Sequence, residues 1–313
     1  MKGKRVLVTG AAGFIGSHLV DALVNEGCIT LGLDDLSNGT LSNLSHHEET
    51  SLFSFIKGDI KDEATVMHLA RKVDIIFHEA AFVSVPRSVV HPRECHSINV
   101  TGTLNVLEAA RLLDVQKVVI ASSAAVYGDD PTVPKVETMI PMASSPYAAS
   151  KIAAEAYLHS YHEVHGMDTT ALRYFNVYGP RQEASPYSGA ISIFRSNILE
   201  GKPPVIFGDG GQSRDFIHVQ DVVNANLLAA TAPEAAGETI NIGTGVASTV
   251  RDVVEIMLKI CGKPELKYKI APEREGDVRH SLASIEKAKN ILGFKPSLPL
   301  EIGLKDYLAG EIS

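Results

Sequence analysis

The sequence predicts an α/β fold, a doubly wound sheet of parallel strands with a smaller lobe interleaved into its carboxyl-terminal half. Three observations carry that prediction. Short apolar runs, too brief for helices, alternate with longer stretches of helical period, as in parallel strands covered on both faces. A glycine-rich turn at Gly10, Gly13 and Gly16 joins the first strand to the first helix. After Tyr174 the alternation loosens, and glycine and proline gather at Gly179-Pro180, Pro186, Gly201, Pro203-Pro204 and Gly208 to Gly211.

Arg5 to Thr9 is a short run with β-branched Val6, Val8 and Thr9, which reads as a buried parallel strand. From Phe14 the period changes, and Ile15, Leu19 and Leu23 recur on one helix face. Between them the glycines permit a tight turn, and the N–H groups at the helix start offer a phosphate site. The next strand, Ile29 to Leu33, ends on Asp34, roughly 20 residues on, where a dinucleotide-binding fold places the acid that holds the adenosine ribose. Strand, turn, helix, strand and acid in that order point to NAD. No basic residue follows Asp34, since the chain continues Asp35, Leu36, Ser37, Asn38, Gly39, so NAD is favoured over NADP.

Further strands are expected at Ser54–Lys57, Ile75–His78, Lys117–Ala121, Thr169–Tyr174 and Thr239–Ile242. Helices are expected at Ile15–Glu26, Glu63–Ala70, Ile98–Leu113, Tyr147–His165 and Asp221–Ala230, with two amphipathic ones at Thr249–Cys261 and Leu282–Gly293. The organisation that follows is a nucleotide domain over 1–176, rejoined by 218–245, and a lobe over 177–217 and 246–313 laid on the carboxyl ends of the strands, where ligands of open sheets bind.

The 313 residues, 45% hydrophobic and 21% charged, suit a chain with a sizeable buried core. No apolar run approaches the roughly 18 residues of a membrane span, and Met1 to Arg5 leads into a strand and not a signal-peptide core. A net charge of −8 argues against nucleic acid or a membrane surface as partner. Cys28, Cys95 and Cys261 are odd in number and far apart, as expected of unpaired thiols in a reducing cytoplasm. His46 and His47 fall in a polar loop and are expected to be solvated. His78, at a strand end, is expected to be structural. Glu48-Glu49 and Glu273/Glu275 read as surface charge, and no spacing of His, Cys or carboxylates makes a metal ligand set.

Three positions carry the chemistry. The strand at Val118 ends in Ser122 and Ser123, which puts hydroxyls at its carboxyl end. Downstream, Pro146 starts a helix, where its missing N–H costs nothing, and Tyr147 and Lys151, one turn apart, share a face of it. A free tyrosine, with a pKa of about 10, is a poor base at neutral pH. A nearby ammonium and the positive nicotinamide ring favour the phenolate, and lowering its pKa by roughly 3 units takes about 4 kcal/mol. Ser123 would hydrogen-bond the same substrate oxygen while hydride leaves the adjoining carbon.

These residues resemble those of the extended short-chain dehydrogenase/reductases over essentially the whole chain, and within them the UDP-sugar 4-epimerases. The matching stretches are Thr9 to Gly16, Asp34, Gly58 to Ile60, His78 to Ala81, Asn99 to Thr103, Ser122-Ser123, Tyr147/Lys151 and Leu172 to Arg181. The resemblance implies a Rossmann-type sheet, NAD as cofactor and UDP-hexoses as substrates. It implies that Ser123 and Tyr147 are the acid/base pair, that Lys151 binds the nicotinamide ribose, and that Asn99 sits near the cofactor. Phe14, Ile15, Asp35, Asn38, Gly39, Asp59, Ile60, Ala80, Ala81, Ser122 and Tyr174 are further cofactor positions on the same ground. Asn176, Arg214, Arg274 and Asp277 would hold the UDP, arginine suiting a diphosphate through its planar fork, and Val205 and Phe207 would enclose uracil. In that family the residue at the place of Ser281 gates sugar size, and a small one admits N-acetylhexoses. The stretch around Ser84 and Arg87 is similar to the N-acetylhexosamine epimerases. Related enzymes pair as homodimers through two helices, here Ile98–Leu113 and Tyr147–His165.

Two other activities remain open on this scaffold. A dehydratase or decarboxylase would place acids beside the strand-terminal hydroxyl, where this chain has Ala124 and Ala125. A non-catalytic NAD sensor would lose the Tyr147/Lys151 pair, which is intact.

Overall fold

A computed structural model describes residues 1–182, 189–273 and 278–309. In chain order its strands are β1 (Arg5–Thr9), β2 (Ile29–Asp34), β3 (Phe53–Lys57), β4 (Ile75–His78), β5 (Lys117–Ser123), β6 (Thr169–Tyr174), β7 (Asn176–Tyr178), β8 (Val205–Phe207), β9 (Ser213–His218), β10 (Glu238–Ile242), β11 (Ala247–Thr249), β12 (Lys269–Ala271) and β13 (His280–Ser281). The helices are α1 (Phe14–Asn25), α2 (Glu63–Leu69), α3 (Val85–Val90), α4 (Pro92–His96), α5 (Thr103–Leu112), α6 (Pro146–His165), α7 (Ala190–Leu199), α8 (Val219–Thr231), α9 (Val250–Ile260) and α10 (Leu300–Ala309).

Seven strands form one parallel sheet in the order β10-β6-β5-β4-β1-β2-β3. The strand order reverses between β1 and β4, which opens a crevice at their carboxyl ends. This is the doubly wound, Rossmann-type arrangement expected from the sequence. One sheet face packs Leu19, Leu23 and Val222 from α1 and α8, and the other packs Val66, Leu107 and Leu158 from α2, α5 and α6. Each buried strand is therefore apolar on both sides, so β1, β4 and β5 read as continuous hydrophobic runs.

A second core lies away from the sheet, where Ile198, Ile206, Val253, Met257 and Leu304 bring α7, β8, α9 and α10 together. Within the stretch 246–313, however, Ala288, Leu292 and Phe294 pack into the sheet core. The helix expected over Leu282–Gly293 is also shorter than its pattern suggests. Leu282 to Ser284 is extended against Lys135, and the chain winds only from Glu286, with Ala288–Leu292 a π turn. The single helix expected over Ile98–Leu113 is a π segment, Ser97–Gly102, running into α5.

Candidate active site

The first turn is built for close approach. Gly10 has φ +70°, and a Cβ there would lie 2.7 Å from the Ala80 nitrogen at the end of β4. A Cβ on Gly16 would meet the Gly10 carbonyl oxygen at 2.0 Å. Only glycines let α1 start this near β1 and β4, which leaves its first N–H groups facing the crevice. Asp34 is buried at the end of β2, where Oδ2 accepts from the Ala12 N–H at 2.9 Å and Oδ1 from the Leu36 N–H at 2.8 Å. Burial raises its pKa despite those bonds. Each carboxylate oxygen keeps a further lone-pair site for a ribose hydroxyl, so turn and acid both fit NAD.

A cavity of about 1040 Å³ runs from this turn to the lobe. Gly10, Gly13, Phe14, Ile15, Gly16, Asp34, Asp35, Asn38, Gly39, Asp59, Ile60, Ala80, Ala81, Ser122, Tyr147, Lys151 and Tyr174 all line it. So do Ser84, Arg87, Ser123, Asn176, Val205, Phe207 and Arg214. Two anticipated residues do not stand among the described residues that line it. Asn99 is buried behind the wall, its Oδ1 accepting from the Phe82 N–H at 2.7 Å and its Nδ2 donating to Phe82 O at 3.0 Å and Ser150 Oγ at 2.9 Å. It holds the Phe82 backbone and meets no cavity surface. Ser281, on β13, pairs in register with Arg214 of β9 and stands one strand away from the cavity. Arg274 and Asp277 lie outside the described residues.

At the centre, Ser145 caps α6 by accepting from the Ala148 N–H at 3.1 Å, and Pro146 fills the first helical position. The first turn of α6 thereby points Tyr147 at the end of β5. Burial raises the Tyr147 pKa, and the Ser123 hydroxyl pulls it back down. Lys151 donates to the Ala121 carbonyl at 2.8 Å, and its ammonium stands 5.9 Å from the centre of the Tyr147 ring. The lowered phenol expected from the Tyr147/Lys151 spacing is thus not supplied by the protein alone. Burial outweighs the Ser123 bond and leaves the phenol raised, so a positive charge such as a bound nicotinamide ring would be needed to favour the phenolate.

Other side chains brace this centre. Ser122 donates to Glu155 at 2.5 Å, and Glu155 takes a two-pronged ion pair from Arg173, with bonds of 2.9 and 2.8 Å. His78 is structural as expected, set between Thr9 Oγ1 at 2.7 Å and Thr103 Oγ1 at 3.0 Å, and burial drives its pKa down to about 3. Ser84 caps α3, and the Arg87 guanidinium lies 5.0 Å above the Phe82 ring. Ala124 and Ala125, beside Ser123, present only methyl groups.

Sequence reasoning missed Glu79, Arg181 and Gln212, which also line the cavity. A lone acid or amide in an apolar stretch gives no periodic signal, although Gln212 adjoins the Ser213-Arg214 motif. The expectation of a solvated His46-His47 loop needs correction, because His47 is buried. Asp21 Oδ1 contacts His46 Nε2 at 2.8 Å and His47 Nε2 at 2.7 Å, and Oδ2 pairs with Arg181 at 2.8 Å. A carboxylate only accepts, so both imidazoles donate. Although the three atoms lie within 4.8 Å of one another, the guanidinium already balances the acid, which makes the group a clasp. Cys28, Cys95 and Cys261 are unpaired thiols. Among the described residues no helix is long and apolar enough to cross a membrane.

A dinucleotide turn, a ribose acid and a serine–tyrosine–lysine centre on one parallel sheet define an NAD-dependent enzyme working on a hydroxyl-bearing carbon. Residues 6–243 match the NAD dependent epimerase/dehydratase family, and the chain belongs to that family, with NAD as its cofactor. Its relatives include the UDP-glucose 4-epimerase of Mycolicibacterium smegmatis, 42% identical over 96% of both chains. Among solved structures it is similar to the UDP-N-acetylglucosamine 4-epimerase of Methanobrevibacter ruminantium in complex with UDP-N-acetylmuramic acid. That match has a TM-score of 0.94 and 40% identity over 99% of this chain and 98% of the other. The UDP-glucose 4-epimerase of Thermotoga maritima with UDP-glucose gives a TM-score of 0.92 and 38% identity over 97% of both chains.

Proposed function

We propose that this chain interconverts C4 epimers of UDP-hexoses. The observation that carries the reading is the continuous cavity, with the glycine turn at one end, Phe207 and Arg214 at the other, and Ser123 and Tyr147 between them. Cofactor and sugar nucleotide would meet at that pair. Tyr147 takes the proton from the C4 hydroxyl, and Ser123 holds the same oxygen. NAD, held by the Gly10–Gly16 turn and Asp34, would supply the acceptor for the C4 hydride and its return to the opposite face of the sugar. Tyr147 then gives its proton back, so no net redox change remains. Lys151 keeps a positive charge beside the phenolate and binds the nicotinamide ribose, while Arg214 and Asn176 hold the diphosphate. The methyls of Ala124 and Ala125 supply no acid for elimination, which disfavours a dehydratase.

The test is to incubate pure protein with UDP-sugars without added cofactor and identify the products by NMR. A mixture of C4 epimers is expected. A 4-keto-6-deoxy sugar or a decarboxylated product would replace this reading, and unchanged substrate would remove it.

The substrate range extends to UDP-GlcNAc and UDP-GalNAc. The Ser84–Arg87 wall, which lines the cavity, supports this, and the small Ser281 stands behind Arg214, so that a bulky side chain there would crowd that wall. Overfilling a fitted pocket costs about 1–3 kcal/mol. Ser281→Tyr is therefore expected to depress kcat/KM for UDP-GlcNAc roughly ten- to hundredfold while largely sparing UDP-glucose, as steady-state assays on both sugars would show. Equal losses on both substrates would remove Ser281 from that role.

The enzyme works in the cytoplasm as a homodimer. Leu112 at the end of α5, and Tyr157 and Val164 on α6, are exposed apolar side chains that support pairing through these helices. Sedimentation equilibrium checks the assembly.

A further inference from the structure

Glu79, one of the acids in the cavity wall, has no part in the chemistry above. Glu79 follows β4 directly, and its N–H bonds the Thr9 carbonyl at 3.2 Å, which sets it between β1 and β5. The residue is half-buried and lines the cavity. Oε1 accepts from the Tyr174 hydroxyl at 2.8 Å, and that hydroxyl accepts from Asn226 Nδ2 at 2.8 Å. Asn226 also donates to the Val222 carbonyl at 2.9 Å, so the chain of bonds is anchored in α8. The carboxyl is therefore held in one pose, and because His78 pairs in register with Ile120, Glu79 stands beside Ala121, whose carbonyl Lys151 binds at 2.8 Å.

We propose that Glu79 is a positioning residue of the reaction, a fixed counter-charge that keeps Lys151 an ammonium and so sustains Tyr147 as the base. The groups around Lys151 leave this task to Glu79. On α6, Glu155 is already committed to Arg173. On β4, His78 is neutral, because burial holds its pKa at about 3. On α4, burial raises the Cys95 thiol and keeps it neutral. On β6, Tyr174 is raised well above its ordinary value, chiefly by burial. Burial lowers Lys151 to about 8, and Glu79 is the foremost charge opposing that fall. Glu79 is itself raised to about 7 by burial, with the Tyr174 bond and the Lys151 charge pulling it down. The two groups thus titrate in the same neutral window, each favouring the charge of the other.

Because this rests on the 4-epimerase reading, the experiment has two arms. The first measures kcat/KM against pH for native protein, Glu79→Gln and Glu79→Asp, the profile reporting groups of the unliganded site. Glu79→Gln removes the charge and keeps an acceptor for Tyr174. Its alkaline limb is expected to move down by about one pH unit, leaving kcat/KM at pH 8 roughly fivefold below native. Below pH 6, where native Glu79 is itself protonated, the two curves converge. Glu79→Asp keeps the charge and is expected to keep the native limb. The second arm repeats the series on NAD affinity by calorimetry, which needs no turnover, and the same displacement is expected in the alkaline loss of binding. If native protein shows no epimerisation, the reading of function fails and the second arm still decides the role of Glu79. If Glu79→Gln leaves both profiles in place, or Glu79→Asp moves them as far as Glu79→Gln does, the proposal is overturned.

Discussion

Tyr147 and Asp34 mark the two ends of what single residues do here. Tyr147 sits against Ser123 with its phenol raised by burial, so its use as a base depends on charges brought beside it. Tyr147→Phe keeps the ring and removes the proton acceptor. Turnover is expected to fall roughly 10²-fold or more, the scale of a positioned acid/base group, while calorimetry finds NAD binding retained. Near-native turnover would move the base to another residue. Asp34 spends one bond from each oxygen on the backbone and has acceptor sites left for a ribose diol. Asp34→Ala is expected to narrow the preference for NAD over NADP, measured as the ratio of the two affinities, and native protein indifferent to the 2′-phosphate would refute the assignment. Both residues were legible because their neighbours carry strong signals, a one-turn spacing and a strand end. Glu79 was not, since a carboxyl becomes informative only once Tyr174 and Lys151, far away in sequence, are known to share its wall. Asn99 has a recognisable motif and stands behind the wall, bonded to the backbone of cavity-lining Phe82.

The long strands and helices follow from period and length, so β1, β4 and β6 lie at the expected bounds and α6 begins one residue early, at Pro146. The lobe was harder to read. Strands β7, β8, β11, β12 and β13 have three residues or fewer, too few for alternation to show, and β9 makes its pairs with segments far along the chain. At Leu282–Gly293 the helical pattern loses to tertiary bonding. Lys135 N–H bonds the Leu282 carbonyl and Ser284 N–H bonds the Lys135 carbonyl, which holds the start of the segment extended. The element most exposed to a small change is α1. Gly16→Ala would drive a methyl into the Gly10 carbonyl, forcing the helix start away from the turn. A loss of about 1–3 kcal/mol is expected from such crowding, read as a lower denaturant midpoint, together with weakened NAD affinity. Unchanged affinity would mean that the turn does not hold the phosphates.

Across the whole molecule, buried charge ties stability to pH. Glu79 is raised to about 7 in the fold from an ordinary value near 4.5, so between those values the native state binds more protons than the unfolded chain. Stability from this group is full below about 4.5 and declines as pH rises through 7. Glu79→Gln, always neutral, is therefore expected to be more stable than native protein at pH 8 by about 3 kcal/mol and equal to it near pH 4, as paired urea titrations would show. Such couplings are invisible in composition, where −8 describes only the sum. The clasp at Asp21 has a consequence at this scale too. It fastens α1 to the His46-His47 turn and to Arg181, which follows β7 on the way into the lobe. An isomerase that regains its own hydride gains nothing from exchanging cofactor between turnovers. A clasp that ties α1, whose start forms the dinucleotide turn, to the entry of the lobe suits an enzyme that keeps one dinucleotide from turnover to turnover.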